Sequence, residues 1–326
     1  MEPLRIVAIG GGTGLSTLLH GLKAYASDEA EITAVVTVTD DGGSSGRLRR
    51  EFDVLPPGDI RNCMVALSED EALLSKLFQY RFAVGHGLKG HSFGNLFLTA
   101  LTNLTGDFSK AVRVSSEVLA SLGRIYPSTS ENVILEAELE NGSIVKGETR
   151  ISKSRRRIRR LHLVPSTCKP LPDSLGAIEA ADLITFGPGS LFTSVIPNVL
   201  VTGIARAIRK STALKAYFVN LMWQPGETIG FSASDHVRAI HEHAGVDLLD
   251  VVVLNTDPVR PGQRRKYAAE HAQPVVNDFP KLQAMGLEVV GAGLLAPGSV
   301  VRHNSEAAAA IAMDLARRGR ARKRAA

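Results

Sequence analysis

Cysteine is nearly missing from this chain. Of 326 residues only Cys63 and Cys168 carry a thiol, and a pair so far apart matches neither a disulfide framework nor the ligand spacing of a zinc site. Long apolar runs are missing as well. The opening segment, Met1 to Ile9, stops at glycines after a short apolar stretch, too short for the apolar region of a secretion signal. No later run approaches the roughly 18 apolar residues that a membrane helix needs. A cytoplasmic location is therefore the expectation. Aromatic residues make up only 5% of the chain, and none is interleaved in the basic cluster of Arg150, Lys153, Arg155, Arg156, Arg157, Arg159 and Arg160. Without stacking platforms that cluster reads as a solvated or anion-attracting face, and nucleic acid is not the expected partner. The net charge of +5 is a local effect. The terminal segment from Arg317 onward holds Arg317, Arg318, Arg320, Arg322, Lys323 and Arg324 with no acid, more positive charge than the whole net excess. Residues 317–326 are expected to be a disordered basic tail behind one α/β nucleotide-binding domain over 1–316.

What is present is regular alternation of strand and helix signals. Leu4 to Ile9 is a short β-rich run, and Leu15 to Tyr25 repeats apolar residues at helical spacing. Glu31 to Thr39 is β-branched in the manner of a buried parallel strand. Asp40 to Gly58 reads as a long loop. Helices are expected over Asp59–Leu67, Glu69–Phe82, Leu96–Leu104 and Phe108–Leu122. Val133–Leu139 and Ser143–Glu148 flank Asn141-Gly142, whose residues supply the positive φ angles of a type I′ hairpin. With Leu161–Val164 they make a strand-rich excursion at about 127–170. Strands at Leu183–Phe186, Lys215–Asn220, Val251–Asn255 and Glu288–Gly291 then alternate with helices at Leu200–Arg209, Ala233–His243 and Ser305–Arg318. The fold class that follows is α/β, with a mainly parallel sheet and helices on both faces.

The candidate chemistry sits at strand ends. Gly10-Gly11-Gly12-Thr13-Gly14 between the first strand and its helix lets backbone N–H groups and the helix N-terminus approach an anion. Counting from Gly10 or Gly12, the dinucleotide fingerprint G-x-G-x-x-G ends on Leu15 or Thr17, and no Gly-Lys-Ser/Thr follows. An ordinary NAD dehydrogenase and a Walker-type site are both disfavoured. Asp40 and Asp41 follow the second strand, where carboxylates can accept ribose hydroxyls or hold Mg²⁺ beside a diphosphate. Ser44, Ser45, Gly46 and Arg47 add phosphate donors. Gly187-Pro188-Gly189-Ser190 repeats the device, with Ser190 a donor. His86, His91, His236, His241, His243 and His303 form no metal spacing, and Cys63 has no assignable base.

Five segments carry a family resemblance: Ile9 to Ser16, Thr37 to Arg49, Pro57-Gly58-Asp59-Ile60-Arg61-Asn62, Gly90 to Leu96, and Phe186 to Ser194 with Pro197-Asn198. Together they resemble the gluconeogenesis-factor (YvcK-like) family, related to 2-phospho-L-lactate transferase (CofD-like). The resemblance implies a modified Rossmann-like fold and binding of a UDP-sugar, notably UDP-N-acetylglucosamine, by a protein regulating cell-wall and carbon metabolism and cell morphogenesis. The transferase branch instead moves a nucleotide-activated phospholactate to a deazaflavin with a divalent metal. Leu254-Asn255-Thr256, Tyr267 to Glu270 with Pro274-Val275, and Val301-Arg302-His303 are similar to the first branch. Asn304 departs from it, standing where Asp is expected, although Asn also caps helices well. The ligand residues expected are Gly11, Gly12, Thr13, Gly14, Asp40, Asp41, Ser44, Asn62, Ser92, Asn95, Gly187, Gly189, Ser190, Asn255, Thr256, Tyr267 and Arg302. No cofactor is required on this reading, and Mg²⁺ at Asp40 and Asp41 enters only with the transferase alternative. A regulatory protein partner and a homo-oligomer are left open.

Overall fold

A computed structural model of the chain describes residues 2–69, 73–154 and 156–325. Ten strands are described: β1 (Leu4–Gly10), β2 (Ala30–Val36), β3 (Gly123–Pro127), β4 (Ile134–Leu139), β5 (Ile144–Lys146), β6 (Ile158–Val164), β7 (Leu183–Phe186), β8 (Leu214–Phe218), β9 (Val251–Asn255) and β10 (Glu288–Ala292). Seven of them form one sheet in the order β10-β9-β8-β7-β1-β2-β3, and every pairing in it is parallel. The central strands are apolar along their length because helices cover both faces; Ile6, Ala8, Ile9, Ile184, Phe186 and Val253 are all but fully buried. The chain runs outward from β1 to β2 and β3, then returns to place β7 on the other side of β1. The β1/β7 boundary is thus the switch point of the sheet, and a crevice opens there at the strands' carboxyl ends. A hairpin is present at Asn141-Gly142, with β4 between β5 and β6 in a small antiparallel sheet, but its turn is not the type I′ expected: Gly142 adopts φ +79° while Asn141 keeps a negative φ. The architecture is the α/β, Rossmann-like one expected.

Several element boundaries differ from the sequence expectations. Within the supposed loop 40–58, Gly43–Phe52 is helical. Its Gly-Ser-Ser-Gly start has low helix propensity, but packing prevails: Ser44, Ser45, Gly46 and Leu48 are buried. A Cβ on Gly46 would lie 1.8 Å from the Asp41 carbonyl oxygen, so only glycine fits. The helix expected over Glu69–Phe82 falls partly on residues 70–72, outside the described residues; its described part is Leu73–Gln79. It ends there because Tyr80 and Phe82 turn their backbone groups to Phe93 and His91. The Phe108–Leu122 helix stops at Val118, the basic segment contains a short helix Glu148–Lys153, and Leu191–Val195 forms a π-turn leading into helix Ile196–Leu200. No single helix among the described residues is long and apolar enough to cross a membrane.

The largest correction concerns the tail. Residues 317–325 are not disordered but continue the helix Ser305–Ala325, which Asn304 caps by accepting from the Glu306 and Ala307 N–H groups. The arginines that looked unopposed in sequence find acids distant in the chain: Arg317 pairs with Glu29, Arg318 with Glu288, Arg320 with Asp182 and Arg322 with Asp250. The helix also packs tightly at both ends. A Cβ on Gly21 or Gly319 would sit 2.0 Å from the carbonyl oxygen of Ser305 or Asp182.

These ion pairs are unequal. Arg317 and Glu29 are both more than half exposed, so their loss should cost under about 1 kcal/mol. Arg320 and Asp182 are 16% and 6% exposed, and the same Asp182 oxygen accepts from the Arg5 N–H at 2.8 Å. Arg320→Ala strands a buried carboxylate and should lower the unfolding free energy by about 3–5 kcal/mol. Urea denaturation of the two single variants checks this; equal, small losses would contradict it.

Candidate functional site

The two glycine turns meet at the switch point. Gly12 adopts φ +63°, and Gly187 and Gly189 adopt +69° and +154°, backbone conformations that side chains resist. A Cβ on Gly14 would lie 2.5 Å from the Pro188 carbonyl oxygen, and one on Gly11 would lie 2.6 Å from Asp59 Oδ2. Glycine is what allows the turns to touch. They form one wall of a cleft of about 570 Å³ that Asn220 to Pro225 and the segment Val301-Arg302-His303 also line.

A chain of side-chain hydrogen bonds fixes the second turn. Glu227, 6% exposed, accepts from Ser190 Oγ (3.0 Å), Thr193 Oγ1 (3.2 Å), Ser152 Oγ (3.4 Å) and the Phe192 N–H (3.1 Å). Burial raises its carboxyl pKa, while these donors act against the rise. Ser190 Oγ in turn accepts from Gln224 Nε2 at 2.8 Å, and Gln224 Oε1 accepts from Asn220 Nδ2 at 2.7 Å. The Ser190 hydroxyl, expected to serve a ligand, thus spends its proton on Glu227. The Gly12, Phe192 and Gly187 N–H groups are engaged by Asp59, Glu227 and the Ile9 carbonyl, which leaves the other N–H groups of the turns and the helix N-terminus for an anion. Asn198 braces both turns from below, donating from Nδ2 to the Gly10 and Ser194 carbonyls.

Beneath the first turn lies a group of acids. Asp59 accepts from the Gly12 N–H, but burial and then the charge of Asp40 push its pKa up to about 7. Burial likewise raises Asp40, and raises Glu148 well above the ordinary carboxylate range, with Asp59 and Asp40 adding to the latter. Glu148 Oε2 is buried with no hydrogen-bond partner. Asp40 and Asp41 do not act as a pair. Asp40 Oδ1 accepts from Gly42 N–H at 2.8 Å, whereas Asp41 Oδ1 accepts from the Thr149 N–H (2.8 Å) and Oγ1 (2.6 Å) across to the antiparallel excursion. The two carboxylates have separate protein donors.

The other expected residues fall into four places. Ser44 lies 3.0 Å from His91 Nδ1, and Asn95 Nδ2 donates to Ser44 Oγ; Ser92 caps the helix Phe93–Thr105 by accepting from the Asn95 N–H. These residues are buried, and they fix the helix Gly43–Phe52 to that second helix. Tyr267 and Arg302 line the cleft: Tyr267 Oη accepts from the Val301 N–H at 3.1 Å, which ties it to the segment carrying Arg302. Asn62 lines an adjoining cavity and accepts from Arg61 at 2.6 Å. Asn255 and Thr256 are not among the cleft's lining. Asn255 Oδ1 accepts from the Asp257 and Leu294 N–H groups and so joins the ends of β9 and β10.

Glu148, Glu227, Gln224, Asn220 and Asp59 were missed from sequence. Asp59 alone left a signal, an acid following Pro57-Gly58 in the first turn of a helix whose second half is apolar.

The sequence model of the 2-phospho-L-lactate transferase CofD family matches residues 6–295. The chain belongs to this family. Its curated relatives are gluconeogenesis factors: that of Halalkalibacterium halodurans is 49% identical over 306 residues, covering 94% of each chain. That of Bacillus subtilis is 47% identical over 312 residues, covering 95% of this chain and 98% of the relative. A crystal structure of a UPF0052 family member from Bacillus halodurans superposes with a TM-score of 0.92 at 48% identity, covering 96% of this chain and 100% of the other. This CofD-family chain thus shares nearly its full length with the gluconeogenesis factors.

Asp59 makes folding depend on pH. Its folded pKa of about 7 lies above the ordinary 3.8, so its contribution is fully present below the unfolded value and is lost as pH rises through 7. Relative to wild type, Asp59→Asn should gain stability between pH 4 and 7.5 by about 4 kcal/mol at most. Urea denaturation across that range measures it, and parallel pH profiles for the two proteins would contradict it.

Proposed function

We propose that this protein binds a nucleotide-sugar, UDP-N-acetylglucosamine, in the switch-point cleft and acts as a regulator linked to cell-wall and carbon metabolism and cell shape, in the cytoplasm. The observation that supports this most is the meeting of two glycine turns across a cleft whose rim carries Arg302. That guanidinium is exposed, and no carboxylate forms an ion pair with it among the described residues. Backbone N–H groups suit a diphosphate, Arg302 can add a charge-assisted pair, and Tyr267 offers a ring for the rest of the ligand. Gln224 and Asn220, held in register by Ser190, face the same space with amide groups suited to a base or sugar.

The raised acids Asp40, Asp59 and Glu148 favour a second reading, a transferase that moves a nucleotide-activated phospholactate and needs a divalent cation. In that reading the cation would supply charge neutralisation beside the diphosphate.

Calorimetry with UDP-N-acetylglucosamine, GDP and NAD, each in magnesium and in EDTA, separates the readings. The binder should prefer the UDP-sugar and retain it in EDTA, and Arg302→Ala should weaken it by about 1.5–3 kcal/mol with only partial rescue by Lys. Binding that vanishes in EDTA, with turnover of a phospholactate nucleotide, would replace this reading by the transferase.

A further inference from the structure

The nucleotide cleft does not end at Arg302. Thr13, Thr17, Arg302 and His303 line it on one side and, on the other, a second cavity of about 700 Å³ between the helices Gly12–Leu22, Gly58–Leu67 and Leu73–Gln79. Among the described residues the charges that line that cavity are of one sign. Lys23, Arg61, Lys76 and Arg302 line it, and no carboxylate does so among the described residues. Another cationic cavity, at Arg209, Lys215 and Arg322, differs in this respect, since Asp247 and Asp250 also line it.

Arg61 gives the second cavity its built character. It is 8% exposed, its Nε is buried without a partner, and Asn62 Oδ1 is the acceptor of its Nη2. A Cβ on Gly94 would come within 2.9 Å of its Cγ and Cδ, so its aliphatic stem lies in a slot that a glycine leaves open. No carboxylate lies within ion-pair distance of it among the described residues. Asp59 and Asp40 lie near enough to favour its charge without forming an ion pair with it; a buried guanidinium that lacks a directly paired anion costs free energy that a bound anion would offset. Around it, Thr13 carries a hydroxyl on the first turn of the helix Gly12–Leu22, while the Ser16 and Thr17 hydroxyls donate to the Gly12 and Thr13 carbonyls.

We propose that this cavity is a second ligand site, for a small oxyanion-rich molecule of the phosphorylated or polycarboxylate kind, which binds beside the nucleotide and shares Arg302 with it. The geometry makes the two ligands neighbours across Thr13 and Thr17, so each alters the affinity of the other. The proposal does not depend on which nucleotide fills the first cleft.

The test is calorimetric titration of the full chain with inorganic pyrophosphate and with citrate, alone and at saturating UDP-N-acetylglucosamine. It is repeated on a Lys23→Gln, Lys76→Gln double variant. Lys76 is exposed and Lys23 half-buried, and neither lines the nucleotide cleft, so the fold should survive; a thermal melt checks it. Wild type should bind at least one of the two anions with the UDP-sugar site saturated, and the variant should bind that anion about tenfold more weakly or worse while keeping its UDP-sugar affinity. Anion binding unchanged in the variant, anion binding abolished by UDP-sugar in wild type, or no anion binding at all would overturn the proposal. If the UDP-sugar itself fails to bind, the proposed function fails. The anion titrations of wild type and variant without it still decide the second site.

Discussion

Everything at the candidate site depends on how closely two backbone turns approach each other. Gly14 faces Pro188 and Gly189 with no room for a side chain, and this contact joins the first βα unit to the one that begins at β7. Parallel sheets open a crevice where the strand order reverses; here glycine narrows that crevice until the two turns touch. The supporting residues are buried and polar. Asn198 holds the turns from below, and Glu227 gathers hydrogen bonds from the second turn and from Ser152 of the antiparallel excursion. A buried carboxylate with several donors is costly to desolvate and strongly oriented once satisfied, which suits a residue that fixes a loop without touching a ligand.

The excursion thereby becomes part of the site. Thr149 holds Asp41, Ser152 reaches Glu227, and Glu148 enters the acidic group under the Gly12 turn. Gly147, at φ +93°, allows Asp41 to come so near. The small sheet and the large one are coupled through the residues nearest the cleft, and a change of charge among Asp40, Asp59 and Glu148 is felt by both.

Much of this was legible in the sequence, for local reasons. Val251–Asn255 announces itself by β-branching, Asn141-Gly142 by turn chemistry, and the Gly10 and Gly187 turns by positions that tolerate little besides glycine. What was not legible depends on residues far apart in the chain. Gly43–Phe52 is a helix because it is packed, against its own propensity. The terminal arginines look like a loose tail until Glu29, Asp182, Asp250 and Glu288 are brought beside them. Glu148 and Glu227 resemble any surface glutamate in sequence; only the fold buries Glu227 and the Oε2 of a half-buried Glu148. Asn255, read as a ligand group, serves the ends of β9 and β10 because its backbone neighbours need an acceptor there.

The central claim is that the two glycine turns form one anion-binding surface. Hydrogen–deuterium exchange with and without UDP-N-acetylglucosamine tests it most directly, because the amides themselves are the proposed contacts. The account predicts slowed exchange in both turns together, over residues 11–15 and 189–194, with a lesser effect at 220–227. Protection of one turn without the other, or protection confined to segments away from the switch point, would contradict it.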